Sequence, residues 1–180
     1  MKFVELGIPG AFLVEVEPLA DERGYFARTF CATTFAERGL DGSLVQTSLS
    51  WNPLRGTFRG MHYQAAPHAE AKLVRCVRGR IYDLILDLRE DSHIYRQHLA
   101  FELSADERNA VYVPPGVAHG FLTLTDDCEV HYAMSTAYEP AASRGVRWDD
   151  PAFGIVLPEP VRRISERDAG YPDHLGPLAG

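Results

Sequence analysis

The stretch Tyr82–Leu88, which reads YDLILDL, is the clearest secondary-structure signal in the chain. Tyr82 and the three leucines share one side of an extended strand, while Asp83 and Asp87 lie on the other side, where Ile85 interrupts the polar pattern. Because successive side chains of a strand point to opposite faces, this alternation predicts a strand in a sheet with one buried face. We therefore expect β-sheet to be the main element of the fold.

Further short apolar runs extend this pattern along the chain. Turn sequences such as Arg78-Gly79 divide them, and 15 glycines and 12 prolines punctuate the sequence. One segment, Ala32–Arg38, favours a helix that Thr33 or Thr34 would cap. Besides Tyr82–Leu88, we expect strands at 11–16, 43–50, 57–64, 72–77, 99–103, 110–113, 120–124 and 129–134.

So many short strands with few helices predict an all-β fold, a jelly-roll barrel or sandwich with a few short helices. A chain of 180 residues has the size of one domain. We therefore expect residues 1–180 to form a single domain, in which the proline-rich and polar segment 139–180 is a covering tail. The mouth of such a barrel suits a small ligand.

Composition and charge exclude several classes of protein. The chain has 25 acidic and 18 basic residues and a net charge of −7, which disfavours a nucleic-acid partner. No apolar run approaches the roughly 18 residues of a membrane-spanning helix. The N-terminus lacks the pattern of a secretory signal, and three cysteines without paired spacing suit reduced thiols. We expect a cytoplasmic protein.

Two segments combine a histidine with neighbouring glycines. Arg59–Gln64 reads RGMHYQ and is followed by Lys72, and Pro114–Phe121 reads PPGVAHGF. A lone histidine is usually a hydrogen-bonded core residue, but glycines allow a ligand to approach the backbone closely. Polar side chains also recur within and after the first segment, at Arg59, Gln64 and Lys72. The pattern therefore indicates a binding or catalytic site around His62 and His119.

A metal site is one interpretation of the two histidines. The second segment has the Pro-x-Gly-x-x-His spacing that metal-dependent cupins use, but a divalent ion needs three or more converging ligands. The position two residues after His62 is Gln64, a poor ligand, and His68 and Glu70 fall on a predicted loop. We therefore expect no bound metal.

Acid–base chemistry is the other interpretation, and it requires a base, a proton donor on the far side of the substrate and a group that stabilises negative charge. His62 suits the base, because imidazole titrates near neutral pH. Tyr132 points inward if its strand forms a barrel wall, and Lys72 offers a compact ammonium for an oxyanion. Strand alternation puts Arg59 and His62 on opposite faces, so both can serve one pocket only if Gly60 supports a bulge.

The chain resembles the dTDP-4-dehydrorhamnose 3,5-epimerases, a family of nucleotide-sugar epimerases with a cupin-like jelly roll. The resemblance covers nearly the whole length. It is carried, in the same order, by Asp21–Phe26 (DERGYF), Arg59–Gln64 (RGMHYQ), Ala71–Arg75 (AKLVR), Val113–Phe121 (VPPGVAHGF), Arg144–Pro151 (RGVRWDDP) and Ile164–Asp168 (ISERD). It implies an isomerase that inverts C3, C5 or both in a nucleotide-linked 4-keto-6-deoxyhexose, through an enolate, in deoxysugar biosynthesis of the rhamnose type.

The resemblance also implies roles for individual residues. His62 would be the base, with Asp168 supporting its imidazole, and Tyr132 would be the acid that returns a proton to the opposite face. Lys72 would stabilise the enolate oxygen at C4, and His119 would line the same pocket. The implied substrate-binding residues are Arg23 and Arg59 for the diphosphate, Gln46 for the nucleotide, and Phe26 and Tyr138 for the base.

The family needs no metal or organic cofactor, and it usually forms a homodimer in which N-terminal strands complete the partner's sheet. Arg23 and Phe26 would then serve the neighbouring subunit. The chain departs from the family pattern in three places. Arg28, which we also expect to bind substrate, replaces a glutamate beside the base-binding Phe26. Residues 46–50 read QTSLS where QDNHS is common, and Ala133 replaces a lysine. We therefore expect epimerase chemistry on a dTDP-linked sugar. The alternatives are an epimerase of CDP-, UDP- or GDP-linked keto sugars and a non-catalytic sugar-nucleotide-binding cupin.

Overall fold

The computed structural model describes residues 1–174, which contain thirteen strands, two short α-helices and one 3-10 turn. The helices are α1 (Ala32–Ala36) and α2 (Glu166–Ala169), and the turn is Pro140–Ala142. The strands are β1 (Lys2–Glu5), β2 (Phe12–Glu15), β3 (Leu19–Asp21), β4 (Gly24–Phe26), β5 (Gln46–Asn52), β6 (Phe58–Gln64), β7 (Lys72–Arg78), β8 (Arg80–Asp87), β9 (His98–Ser104), β10 (Ala110–Val113), β11 (Val117–Thr123), β12 (Cys128–Met134) and β13 (Ser143–Gly145).

Two antiparallel sheets face each other across a shared core. One sheet has the strand order β1-β2-β10-β7-β12-β5, the other has the order β13-β6-β11-β8-β9, and β3 and β4 form a separate hairpin. The inner core takes side chains from both sheets, among them Val74 and Val130 from the first and Ile85 and Phe121 from the second. This arrangement confirms the predicted all-β, cupin-like jelly roll with few short helices.

The strand β8, which contains all of the Tyr82–Leu88 stretch except Leu88, is buried on both faces and not on one as the alternation predicts. Leu84 and Leu86 pack in a second core on the outer face of the five-stranded sheet. Asp83 and Asp87, on the opposite side, are also inaccessible to solvent. The outer face is buried because the segment after β13 covers it. The aspartates on the inner face are buried and have hydrogen-bond partners, His119 for Asp83 and Arg89 for Asp87.

The outer face of the five-stranded sheet is covered by the segment after β13. Val146, Phe153 and Ile155 are buried there against strands of that sheet. The predicted covering tail spans 139–180, of which 175–180 lie outside the described residues. No helix in residues 1–174 is long and apolar enough to cross a membrane.

The first helix and the shortest strands differ from the sequence-based expectations. The helix α1 ends two residues earlier than predicted, and its N-cap is Cys31 without a side-chain cap, so neither Thr33 nor Thr34 caps it. The strands β1, β3, β4 and β13 have three or four residues each and were not predicted. Unlike β2 and β10, which are equally short, these four strands contain no buried residue, so no apolar face marks them in the sequence.

Candidate active site

A bulge between β6 and β11 brings Arg59 and His62 to one side of the sheet. His62 pairs with His119 and Arg59 pairs with Phe121, so the β6 strand has one more residue than β11 between the two pairs. Gly60 has a φ of +129°, and a Cβ atom there would lie 2.9 Å from the His119 carbonyl oxygen. Only glycine fits such a conformation and such a close approach of two strands. The bulge that the sequence required at Gly60 is therefore present.

One cavity of about 240 Å³, which we call the inner cavity, collects five of the predicted site residues. His62 and Arg59 come from β6 and His119 from β11, in the five-stranded sheet. Lys72 comes from β7 and Tyr132 from β12, in the six-stranded sheet. Ser50 and Phe121 complete the lining. Groups from both sheets therefore face one small space between them.

The helix α2 delivers Asp168 to the back of His62. Ser165 caps this helix by accepting a hydrogen bond from the Asp168 backbone N–H, which fixes the position of the aspartate. His62 Nε2 lies 2.7 Å from Asp168 Oδ1, and the Gly60 N–H donates to Oδ2 at 3.2 Å. Burial alone would raise the pKa of Asp168, but the His62 contact and these hydrogen bonds lower the pKa below its ordinary value. Asp168 is therefore an ionised carboxylate that orients the imidazole.

Tyr132 points into the inner cavity, as the sequence predicts. Its hydroxyl lies 3.5 Å from Ser50 Oγ, and its ring meets the His119 ring edge-on with centroids 6.2 Å apart. Burial raises the pKa of Tyr132 well above its ordinary value, which Ser50 and the charge of Arg59 only partly oppose. The phenol is therefore protonated at neutral pH and can donate a proton.

Lys72 forms an ion pair with Glu70 inside the protein. Each side chain is about nine-tenths buried, and the ammonium contacts Glu70 Oε1. Burial lowers the pKa of Lys72, and the charge and hydrogen bond of Glu70 oppose that effect. The predicted loop does contain Glu70, but the structure turns this carboxylate towards Lys72, where it stabilises the positive charge.

His119 has a carboxylate partner of its own. His119 Nε2 lies 2.8 Å from Asp83 Oδ2, and Asp83 is fully buried. Burial raises the pKa of Asp83, and His119 opposes this shift. The alternation of its strand predicts Asp83 on the polar side and gives it no place in the site. The available signal was an aspartate in the middle of an otherwise apolar strand, since such a carboxylate needs a buried partner.

An adjoining groove of about 310 Å³, which we call the outer groove, extends from His62, Lys72 and Tyr132. Two more predicted residues line it, Gln46 and Tyr138, and the Tyr138 N–H donates to Gln46 Oε1 at 3.0 Å. The lining also includes residues that were not predicted for the site: Ser48, Tyr63, Glu70, Met134, Thr136, Ser143 and Arg167. The groove is open to solvent and continuous with the residues of the inner cavity, so one ligand can occupy both.

Three predicted binding residues lie elsewhere in the chain. Arg23 and Phe26 belong to the β3–β4 hairpin, and they line a separate depression with Asp21 and Tyr25. Arg28 is exposed and lines neither the inner cavity nor the outer groove. Within one chain these residues are not part of the site around His62.

The residues around His62 are engaged with one another and not arranged as metal ligands. Within residues 1–174, no group of three or more His, Cys, Asp or Glu is placed to hold a metal ion. Gln64 donates to the His68 carbonyl at 3.0 Å and accepts from the Glu139 N–H at 2.7 Å, so its amide organises loops. Arg59 is held by Asn52, whose Oδ1 accepts from Nε at 2.6 Å.

Comparison with known proteins gives matches over nearly the whole chain. The family model for dTDP-4-dehydrorhamnose 3,5-epimerase matches residues 5–174. The curated dTDP-4-dehydrorhamnose 3,5-epimerase of Methanothermobacter thermautotrophicus is 41% identical over 173 residues, which are 94% of this chain and 92% of the relative.

Solved structures give the same result. The dTDP-4-dehydrorhamnose 3,5-epimerase of Bacillus anthracis, with TDP and PPi bound, has a TM-score of 0.92 and 35% identity over 96% of this chain and 99% of its own. ChmJ, a 3'-monoepimerase from Streptomyces bikiniensis in complex with dTDP-quinovose, has a TM-score of 0.86 and 32% identity over 93% of this chain and 85% of its own. Sequence and fold therefore agree on one group of sugar epimerases.

Proposed function

The chain belongs to the dTDP-4-dehydrorhamnose 3,5-epimerase family, and we propose that it inverts ring carbons of a dTDP-linked 4-keto-6-deoxyhexose without a cofactor. One observation carries this proposal: His62 on β6 and Tyr132 on β12 belong to different sheets and line the same inner cavity. A pyranose ring between them would have a base on one face and an acid on the other. Inversion at a carbon requires such a pair.

In the first step, His62 removes a proton from the carbon beside the ketone. The C4 ketone of the substrate itself acidifies the C–H bonds at C3 and C5. Because Nε2 of His62 faces Asp168, Nδ1 is the nitrogen left to accept the proton. The Asp168 carboxylate stabilises the imidazolium that forms and keeps the ring in the tautomer with a proton on Nε2.

Breaking the C–H bond moves its electron pair into a carbon–carbon double bond and places negative charge on the C4 oxygen. Lys72 is a cation that lines the inner cavity, where its side chain can stabilise this charge. The Glu70 carboxylate favours the charged form of Lys72 and so opposes the effect of burial. His119, held by Asp83, lines the same cavity and offers a second polar contact to the ring.

In the second step, Tyr132 gives its proton to the opposite face of the same carbon, which inverts the centre. Its raised pKa keeps the phenol protonated until the enolate, a strong carbon base, is present. The tyrosinate then regains a proton from solvent, and His62 releases the proton it took. Substrate re-orientation between the two carbons decides whether C3, C5 or both are inverted.

The nucleotide would lie along the outer groove, with Arg59 at the diphosphate and Gln46 and Tyr138 at the nucleoside. The Bacillus anthracis relative binds TDP and PPi, and ChmJ binds dTDP-quinovose. Both ligands support a thymidine nucleotide here, and an enzyme of rhamnose-type deoxysugar biosynthesis. A 3'-monoepimerase among the similar structures means that inversion at C3 alone is an outcome the experiment must distinguish.

We further propose that residues 1–180 act as one domain in a cytoplasmic homodimer. The β3–β4 hairpin pairs only with itself in the described chain, while Leu19 and Phe26 on it are 73% and 74% exposed. Burying these side chains against a second copy would bring Arg23 and Phe26 to the partner's outer groove. Mixing an Arg23→Ala chain with a His62→Ala chain should restore activity to mixed dimers if this is so. Absence of any recovery, with dimers present in sedimentation velocity, would place Arg23 outside the partner's site.

The proposed activity is tested by offering dTDP-, UDP-, GDP- and CDP-linked 4-keto-6-deoxyglucose in deuterium oxide and following C3 and C5 by NMR. We expect deuterium at one or both carbons and inverted product with the dTDP sugar. Exchange with another nucleotide alone would overturn the thymidine assignment. Binding without exchange for every sugar would indicate a non-catalytic sugar-nucleotide-binding protein.

A further inference from the structure

A cavity of about 590 Å³ is lined by Asp168 but not by His62. It forms between the start of β6 and the segment that leads into α2. We call it the arginine cavity, because Arg59, Arg162 and Arg163 line it together with Thr57, Phe58, Ile164, Ser165 and Asp168. Arg59 also lines the inner cavity, so the two spaces share one guanidinium group.

The backbone of Arg162 and Arg163 is fastened to the turn before β6. Both N–H groups donate to the Gly56 carbonyl, at 2.8 and 3.1 Å, and the Phe58 N–H donates to the Arg163 carbonyl at 2.8 Å. Gly56 has a φ of +80°, and a Cβ atom there would lie 2.8 Å from Cγ of Arg162. The Arg162 side chain therefore lies directly over a glycine that leaves room for it.

The positive charges in this cavity are not neutralised by the protein. In residues 1–174, no carboxylate oxygen lies within 4.0 Å of a side-chain nitrogen of Arg59, Arg162 or Arg163, although six other arginines form such ion pairs there. Asp168 is the one acidic residue in the lining, and its two oxygens already bind His62 and the Gly60 N–H. All three arginines are exposed, so water solvates their charges in the free protein. An anion that enters the space they line would be attracted by several guanidinium groups at once.

We propose that Arg162 and Arg163, with Arg59, form a phosphate-binding subsite beside the epimerase site. One guanidinium group can donate two parallel hydrogen bonds to two oxygens of the same phosphate. A phosphate or diphosphate is therefore the anion that best matches several arginines. The bound phosphate group would belong either to free pyrophosphate or to the substrate. In the substrate, the diphosphate would extend past Arg59 into this cavity. In the second case the subsite rests on the proposed function.

The test compares Arg162→Gln/Arg163→Gln with a control of equal charge change, Arg78→Gln/Arg80→Gln. The control arginines are exposed and paired with Asp127 and Glu102, away from the cavity. Titration calorimetry with inorganic pyrophosphate measures binding, and initial rates with the dTDP keto sugar give KM and kcat. Circular dichroism and thermal unfolding verify that both double variants are folded.

We expect pyrophosphate to bind the wild type and the control alike, and the Arg162→Gln/Arg163→Gln variant at least about tenfold more weakly. A KM unchanged in that variant assigns the subsite to a free anion. A KM that rises about tenfold at constant kcat assigns it to the substrate's diphosphate. Equal pyrophosphate affinity and equal KM in both double variants would overturn the proposal. The calorimetric arm needs no turnover, so its result stands even if no keto sugar is epimerised.

Discussion

Replacing Asp168 with asparagine changes little in shape but removes the acceptor that orients His62. The Gly60 N–H donates to Asp168 Oδ2, so an asparagine must keep its carbonyl oxygen on that side to satisfy it. Its NH₂ group then faces His62 Nε2, which must accept and not donate. The proton of the imidazole moves to Nδ1, the nitrogen that should take the proton from the sugar. The base is lost although every atom stays near its place.

The size of the effect follows from the contact that is lost. A hydrogen bond to a charged group contributes about 1.5–3 kcal/mol, and Asp168 is only 5% exposed, so little solvent screening applies. That energy alone corresponds to about a 10- to 100-fold loss in rate. A wrong histidine tautomer costs up to about 10⁴-fold in kcat where an aspartate behind a catalytic histidine has been replaced by asparagine. We therefore expect kcat to fall between about 10²- and 10⁴-fold with little change in KM.

The assay is the rate of deuterium incorporation at C3 and C5 of the dTDP keto sugar, followed by NMR under saturating substrate. A matched control is Asp150→Asn, another buried aspartate, which accepts from the Ala152 N–H at 2.8 Å outside the site. It should keep wild-type exchange even if it lowers stability. An Asp168→Asn enzyme that is folded and exchanges within threefold of the wild type would refute the orienting role.

Two further predictions concern stability, measured by urea unfolding. Gly60→Ala should lower the free energy of unfolding by about 3 kcal/mol or more, because of positive-φ strain and overpacking against the His119 carbonyl. The control Gly24→Ala has a φ of +125° and no atom within 4 Å of the added Cβ, so it should lose only the part due to strain. Equal losses in the two variants would contradict the packing argument. Asp87→Asn should lose roughly 2–3 kcal/mol near neutral pH, because Asp87 accepts from Arg89 and Ser92 while fully buried. Burial alone would raise the pKa of Asp87, but these hydrogen bonds lower the pKa in the folded protein. The stability that the Asp87 carboxylate contributes is therefore fully present above its ordinary pKa of about 4, and it is lost as the pH falls through the lower pKa of the folded state. A difference between wild type and Asp87→Asn that grows on acidification would contradict this.

Local alternation is enough to predict the central strands, because an apolar face leaves a period of two in the sequence. It could not reveal that the strand of Asp83 is buried on both faces, since the partner of this aspartate is His119, 36 residues further along. The β3–β4 hairpin was not predicted because it has no buried face. Its Leu19 and Phe26 are exposed in the described chain, so apolar residues there mark no buried face.

The site residues that sit in motifs, such as His62 and Lys72, were predictable from residue type and context. The residues that hold them were not. Glu70 and Asn52 act by fixing the side chains of Lys72 and Arg59, and such pairing depends on the folded geometry and not on spacing. The inward direction of Tyr132 followed from strand register, but its high pKa follows from burial, which only the structure shows.

The most direct test of the whole account separates the two proton transfers. In deuterium oxide, His62→Ala should abolish exchange at C3 and C5, while Tyr132→Phe should retain exchange through His62 and lose inverted product by at least about 100-fold. That pattern is expected only if the two side chains act on opposite faces of one sugar ring. Near-normal exchange in His62→Ala, or an equal loss of exchange and inversion in Tyr132→Phe, would contradict it.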